Sequence, residues 1–540
     1  MHIVVVGSGP SGVHFAQTAL ERGHNVTMVD VGKTGHEKPL PQAGFYDLKA
    51  THPDPVSYFL GERYEAVSLP AANPDQDEEY YGLPASKDYV FDHPPRFGMQ
   101  THGLSSLVSF AAGGLAECWT GGAYTLNDDD LSAFGFGYDH MAPHYAKVAE
   151  RIGIGGKADD LADWYPVHDG MMDPIALDKS SAMLLQKYES RRNKLGSKHP
   201  GIRLGRSRQA ALSADLGSRK ACTECGRCLW GCPNGAFYTP SLTLASLMRH
   251  PRFTYVPNRF ASHFEVTAQK SLENVVTYAA GGTEEKIIGD AFVLAAGTLS
   301  SANLFLRTVY KSSREIIKLP GLMDNQQILA PFLNLSMLGR SYDPSSYQYH
   351  QLAIGLEGES PEKFVHAQVT TMTTGSAHPV IAQVPLGMRA GRQIFTTIRS
   401  ALGVVNLNFD DTRRAESYAT LNPRQDVEGW PALSLTYASP KGQDREISDA
   451  LSRLKRFMRD LGAPLVPGMI QIRKPGASVH YSGTLPISEN GGEHTVTRDC
   501  QSNDFDNLFV VDGSVFPALP SKNLTFTLMA NATRVATQAF

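Results

Sequence analysis

The sequence predicts an α/β fold, α+β when taken whole, in which a Rossmann-like dinucleotide-binding unit is combined with an antiparallel sheet. Three observations predict it. An apolar run at residues 2–6 leads straight into a G-x-G-x-x-G turn, a helical stretch and a second strand closed by an acid. A second apolar run entering a glycine turn and a helix appears near residue 291. From about Leu319 to Arg473 the patterning changes to short alternating segments, the period of half-buried strands.

Size and composition set the frame. A chain of 540 residues exceeds the ~100–200 usual for one domain, so it divides into several domains or one large discontinuous enzyme fold. With 42% hydrophobic and 19% charged residues it is an ordinary globular protein, which excludes fibrous and tail-like classes. Fifty Lys and Arg against 54 Asp and Glu, with no run of five or six like charges, argue against nucleic acid or a polybasic membrane docker as partner. A small molecule is the expected ligand. No stretch reaches the ~18 apolar residues of a membrane helix, and the first strand begins almost at Met1, so no intrinsic membrane segment is expected and the expected location is cytoplasmic. The four Asn-x-Ser/Thr sequons, at Asn25, Asn334, Asn523 and Asn531, read as chance matches.

His2-Ile3-Val4-Val5-Val6 reads as a buried parallel strand entering Gly7-Ser8-Gly9-Pro10-Ser11-Gly12. Residues Val13 to Arg22 are helical in character, Gly23 stops them, and Asn25 to Val29 form a strand ending at Asp30. In such a βαβ unit Gly7 makes the tight turn, Gly9 lets backbone approach a pyrophosphate, and Gly12 packs helix on strand. Asp30, 18 positions after Gly12, suits a ribose and repels a 2′-phosphate. Spacing alone does not separate FAD from NAD.

The segment Ala111 to Gly122 is dense in glycine, including Gly113 and Gly114, and suits backbone lying flat against a planar ligand; a surface loop is the plainer alternative. Met141, Tyr145, Val148, Ala149 and Ile152 give the stretch from Asp139 to Gly155 an amphipathic helical pattern. Ala291 to Thr298, with Gly297, reads as a strand entering a turn, and Ser300 to Thr308 as the helix after it. Segments such as Phe364–Val369 and Leu433–Tyr437 suit an antiparallel sheet carrying a substrate pocket.

Cys222, Cys225, Cys228 and Cys232 fall in C-x2-C-x2-C-x3-C-P, the spacing of bacterial ferredoxin runs. It permits a [4Fe-4S] site, a three-iron [3Fe-4S] cluster with three of these ligands, or a remote fourth ligand from Cys118 or Cys500. Zinc is the runner-up, because soft thiolate sets suit it too, and an unmetallated cysteine loop is the third reading.

The last sixty residues carry His480-Tyr481-Ser482-Gly483-Thr484, then Asn507 to Pro517 with Asp512 and Gly513, then Lys522-Asn523-Leu524-Thr525. With the N-terminal glycine motif, these segments resemble the glucose-methanol-choline oxidoreductases, FAD-dependent alcohol oxidases and dehydrogenases. The resemblance covers both ends, Gly113–Gly122 and Ala295–Arg307, and is weak from about Leu319 to Arg473. It implies an FAD-binding domain in three parts, 1–160, 241–318 and 474–540, with a cysteine-bearing insertion at 161–240 and a substrate domain at 319–473.

It further implies that Gly7, Gly9, Gly12 and Asp30 hold the ADP half of FAD. Gly113, Gly114 and Gly297 would approach the cofactor, and Asp512 and Gly513 would lie near its pyrophosphate or ribityl chain. His480 and Asn523 become the pair facing the flavin. An imidazole with an ordinary pKa near ~6.5 suits removal of a hydroxyl proton, and Asn523 would hold the substrate oxygen. Some relatives attach flavin through a His in the glycine-rich segment, at or near Cys118; a cysteinyl link there is the alternative, and a small buried thiol beside noncovalent FAD the favoured reading. The cysteine run resembles that of sugar dehydrogenases, long-chain alcohol oxidases and enzymes of glycoside and aminoglycoside metabolism. The expected activity is therefore oxidation of a sugar, glycoside or aminoglycoside hydroxyl to an aldehyde or ketone, with electrons passing to O₂ or through a cluster to an acceptor protein. Alternatives are another alcohol oxidoreductase of the family, an electron-transfer subunit, a flavoprotein kept as a structural module, and a nicotinamide dehydrogenase with zinc.

Overall fold

The computed structural model describes residues 1–35, 40–61, 83–341, 345–372 and 387–540. The first strand, His2–Val6, lies in the middle of a five-stranded sheet. Its order is Leu508–Val510, Ala291–Leu294, His2–Val6, Asn25–Val29, Phe253–Val256, and every pairing is parallel. Ile3, Val4, Val5, Phe292 and Val293 are fully buried, which is why these strands read as continuous apolar runs rather than alternating ones. The sheet draws its strands from three separate stretches of chain, so the dinucleotide unit does resume near residue 291 and again near 508.

The first helix runs Pro10–Glu21, starting three residues before the helical pattern begins at Val13. Pro10 occupies the first helical position, where its fixed φ and missing N–H carry no penalty, so the second half of the glycine motif is already helical. The C-terminal helix Thr525–Gln538 packs beside it, and Tyr138–Ile152 packs on Thr525–Gln538 in turn. A three-stranded antiparallel meander, Phe260–Val266, Leu272–Tyr278 and Glu284–Ile288, rests on the parallel sheet through Phe264 against Phe292.

A six-stranded sheet stands apart from this unit, in the order Gln471–Ile472, Gln327–Leu333, Leu402–Asn408, Val365–Thr371, Leu352–Leu356, Ile202–Arg206. All its pairings are antiparallel. One face carries Ile328, Ala330, Phe332, Val405, Leu407, Ala367 and Val369, buried beneath the helices Lys179–Ser190 and Gln443–Leu461. The period of two then turns Gln327, Gln368 and Asn406 to the other face, toward the dinucleotide unit. Its far edge strand comes from residues 202–206, within the stretch that carries the cysteine run. The two alternating segments picked out from sequence belong to different sheets: Val365–Thr371 to this one, Trp430–Thr436 to a four-stranded sheet with Lys318–Pro320, Tyr418–Val427 and Met99–His102. Among the described residues no helix is long and apolar enough to cross a membrane.

Candidate active site

A cavity of about 390 Å³ runs between the two sheets. Gly7, Gly9, Asp30, Gly114, Cys118, Gly297, Asp512, Gly513, His480 and Asn523 all line it, so the nucleotide-type loop and the H-x-x-G-T histidine open into one space. Gly12 and Gly113 stand behind its wall, and each is needed for close packing. A Cβ on Gly12 would lie 2.0 Å from the Gly7 carbonyl oxygen; one on Gly113, at φ +97°, would lie 2.1 Å from Glu117 Oε1.

Gly9 differs. The nearest atom to a Cβ there is the Ala295 carbonyl oxygen at 4.0 Å, and its φ of −64° suits any residue. Protein packing does not require glycine at this point, which leaves the loop open to close approach by a ligand. Asp30 lies half-buried at the same end, and desolvation lifts its carboxyl to about 6 against the hydrogen bonds from Ser8. Ser8 Oγ donates to Asp30 Oδ2 and accepts from the Gly113 N–H at 3.0 Å, tying the βαβ turn to the glycine-rich segment. Asp512 is engaged differently: Gly297 N–H at 2.9 Å, Ser301 Oγ at 2.5 Å and Ser514 N–H at 3.0 Å all donate to it. It thereby fixes the turn before the helix Thr298–Ser313, and its burial raises its pKa. An open cradle at Gly9, a ribose-competent acid and a loop of free backbone fit the ADP half of FAD.

At the other end His480 is held from both sides. Its Nδ1 lies 2.9 Å from Asn325 Oδ1. Asn325 Nδ2 donates to the carbonyls of Phe409 at 2.7 Å and Pro520 at 3.1 Å, so the amide can only present its oxygen to the ring. That fixes the tautomer: Nδ1 carries the proton and Nε2 keeps its lone pair. Burial lowers the His480 pKa to about 4, which keeps the ring neutral. Nε2 faces Asn523 Nδ2 at 3.5 Å, too long for a strong hydrogen bond and open to an oxygen placed between them. Asn523 Oδ1 in turn accepts from Gln368 Nε2 at 2.5 Å. The backbone before His480 is shaped by buried Asp324, which takes the Gly476 N–H at 2.6 Å and Ser478 Oγ, while Ser478 Oγ accepts the His480 N–H at 2.9 Å. Burial raises Asp324 to about 7. Val479 sits at φ +60°, a strained position for a β-branched residue directly beside the catalytic candidate.

Ser8, Asp324, Asn325 and Gln368 were not anticipated from the sequence. Ser8 stood in the glycine motif as one of its variable positions, and the other three lie in the stretch where the patterning shows only alternation. Cys118 lines the cavity, and burial pushes its thiol up to about 12, so it is a protonated buried thiol and not an activated nucleophile.

The cysteine run departs from expectation. Cys222, Cys225, Cys228 and Cys232 do surround one small cavity with Ala211, Phe237 and Tyr347, and all four are free thiols. Burial raises Cys222 to about 11 and Cys225 and Cys228 above the usual thiol range. Among the described residues, however, no three His, Cys, Asp or Glu side chains converge as a metal-holding set. The spacing brings the sulfurs to one pocket without bringing them to one centre.

Residues 413–532, which include both His480 and Asn523, match the family model described as GMC oxidoreductase. A paromamine 6'-oxidase of Streptomyces fradiae is 23% identical, and a 6'''-hydroxyparomomycin C oxidase of Streptomyces lividus 22%; each alignment covers 99% of this chain and 90% of the relative. The crystal structure of pyridoxine 4-oxidase from Mesorbium loti shares the fold at a TM-score of 0.60 and 15% identity over 99% of this chain and 98% of that one. Formate oxidase does so at 0.60 and 14%, over 99% and 97%. The parallel-sheet unit and the antiparallel substrate-side sheet are thus a fold shared with these oxidases along the whole chain, and residues 413–532 carry the GMC oxidoreductase domain of an FAD-dependent, alcohol-oxidising enzyme.

Proposed function

We propose that the protein oxidises a hydroxyl of an aminoglycoside or related glycoside to the carbonyl, with His480 as base and Asn523 as the hydrogen-bond donor to the reacting oxygen. The observation that carries this reading is the single cavity joining the Gly9 and Asp30 cradle to the His480–Asn523 pair. The activities for which the two Streptomyces relatives are named support the substrate class and, as oxidases, O₂ as the terminal acceptor.

When bound, FAD supplies the acceptor for the hydride leaving the carbinol carbon. Gly7, Gly9, Asp30, Gly297 and Asp512 are the residues that would hold it. A hydroxyl between His480 Nε2 and Asn523 Nδ2 donates its proton to the imidazole lone pair and accepts from the amide. Asn325 Oδ1 then faces the opposite N–H of the imidazolium and stabilises the charge it gains.

The reading extends to the cysteine run, where Cys222, Cys225, Cys228 and Cys232 are proposed to hold an iron–sulfur cluster once the loop draws the sulfurs inward. Ferredoxin spacing and the shared pocket support this, and no step of the oxidation is assigned to it. Iron and acid-labile sulfide near stoichiometry would uphold it; zinc, or neither metal, would remove it.

The deciding experiment mixes purified flavoprotein anaerobically with paromamine, simple glycosides and long-chain alcohols. The expected result is bleaching of the flavin bands by the glycosides, hydrogen peroxide on readmitting air, and loss of bleaching in His480→Ala. Bleaching by long-chain alcohols alone would overturn the substrate class, and unimpaired bleaching in His480→Ala would overturn the mechanism.

A further inference from the structure

We infer that Asn406 forms a subsite for a second, unreacting hydroxyl of the substrate, one that sets how the ring is presented to His480. The inference rests on the glycoside reading above. Asn406 lies at the centre of the six-stranded sheet, directly opposite Gln368 on Val365–Thr371, and it lines the cavity. Directly opposed residues on one sheet face stand ~5 Å apart at Cβ, so Asn406 is one side-chain width from the amide that holds Asn523.

The polar groups around it already have partners. Gln368 donates to Asn523. Gln327 Nε2 donates to Asn408 Oδ1 at 2.8 Å, and its Oε1 accepts from Arg473 Nη1 at 2.8 Å. Asn325 spans His480 and two carbonyls. The Asn406 carboxamide is different: its Oδ1 is buried with no hydrogen-bond partner, and its side chain makes no hydrogen bond among the described residues. A central strand thus sets an amide with a buried, unsatisfied oxygen into the cavity wall, where a native interior would normally supply a partner.

The chemistry of the partner follows from the donor set. A carboxamide offers an acceptor and a donor side by side, which a hydroxyl can answer with its own donor and acceptor. An ammonium can only donate, and its natural partner is a carboxylate. The carboxylates among the described lining residues are Asp30 and Asp512, both on dinucleotide-unit loops, while the substrate-side sheet contributes amides and the adjoining Arg473. The part of an aminoglycoside seated against Asn406 is therefore a hydroxyl-bearing edge of its ring, with the amines directed away from Asn406.

The test measures binding in FAD-loaded His480→Ala protein, following the flavin spectrum as paromamine or its 4′-deoxy analogue is added. With Asn406 present, paromamine is expected to bind about tenfold tighter than the deoxy analogue. In His480→Ala/Asn406→Leu the preference is expected to collapse to about one, and in His480→Ala/Asn406→Asp, which keeps an acceptor, to persist. A preference that survives Asn406→Leu, or binding of both compounds weakened equally, would overturn the subsite. If wild-type protein binds paromamine with this preference yet its flavin is not reduced, the proposed function fails while the subsite stands.

Discussion

His480 owes its reactive form to a residue far away in sequence. Asn325 Oδ1 is locked toward Nδ1 by two backbone carbonyls, so removing the amide frees the ring to adopt the tautomer with its proton on Nε2, facing the substrate. Asn325→Ala is expected to lower kcat on the order of 10²-fold with little change in KM, the range for a displaced general base; stopped-flow flavin reduction measures it, and a KM-only effect would refute the tautomer argument. Burial adds a pH signature. The folded pKa of about 4 lies below the ordinary 6.5, so the neutral ring persists as pH falls and is lost only as pH approaches 4. At pH 5.5 an ordinary histidine would be about nine-tenths protonated, and kcat/KM would be down about tenfold. Here the plateau in kcat/KM is expected to extend below pH 5.5, and a limb near 6.5 would refute it. In the same window the unfolded chain takes up a proton that the folded one refuses, so His480 also makes the fold less stable toward acid.

The elements show why part of this site was legible in the sequence and part was not. Strand, glycine turn, helix and acid are contiguous from His2 to Asp30, so their pattern survives without tertiary context, and His480 and Asn523 stand in short local motifs. The six-stranded sheet is assembled from residues 202–206, 327–333, 352–356, 365–371, 402–408 and 471–472, and no local pattern states that Gln368 and Asn406 will be opposed. An amide on a strand reads as one more polar alternation until the partner strand is known. The turn between the first strand and helix yields a sharper test, because its glycines serve different ends. Gly12→Ala forces a Cβ to 2.0 Å from the Gly7 oxygen and is expected to destabilise the apoprotein by several degrees in Tm. Gly9→Ala meets nothing closer than 4.0 Å, so apoprotein Tm is expected to stay within about 1 °C while retained FAD falls at least tenfold. Circular dichroism melts paired with flavin content read both, and a Gly9→Ala protein that keeps its flavin would refute the cradle.

Across the whole molecule the two largest apolar clusters are separate. One fills the parallel-sheet unit and the helices packed on it; the other lies between the six-stranded sheet and its two covering helices. The seam between them is lined by Gln327, Gln368, Asn406 and Arg473 on the substrate side and by Gly7, Gly9 and Asp30 on the nucleotide side, with His480 and Asn523 between them. A cofactor seated there touches both bodies and couples them, yet its thermal signature is small for a physical reason. FAD at a hundredfold above its Kd stabilises the folded state by about 2.7 kcal/mol. A chain of 540 residues unfolds with an entropy of about 1.1 kcal/mol/K. The ratio is a rise in Tm of about 2 °C, so a modest shift is what tight binding looks like in a chain this long. Calorimetry of apoprotein titrated with FAD checks this: the expected result is that shift, with the unfolding of the two clusters drawn into one transition. A transition belonging to the six-stranded sheet that ignores FAD altogether would show that the seam does not couple the two bodies.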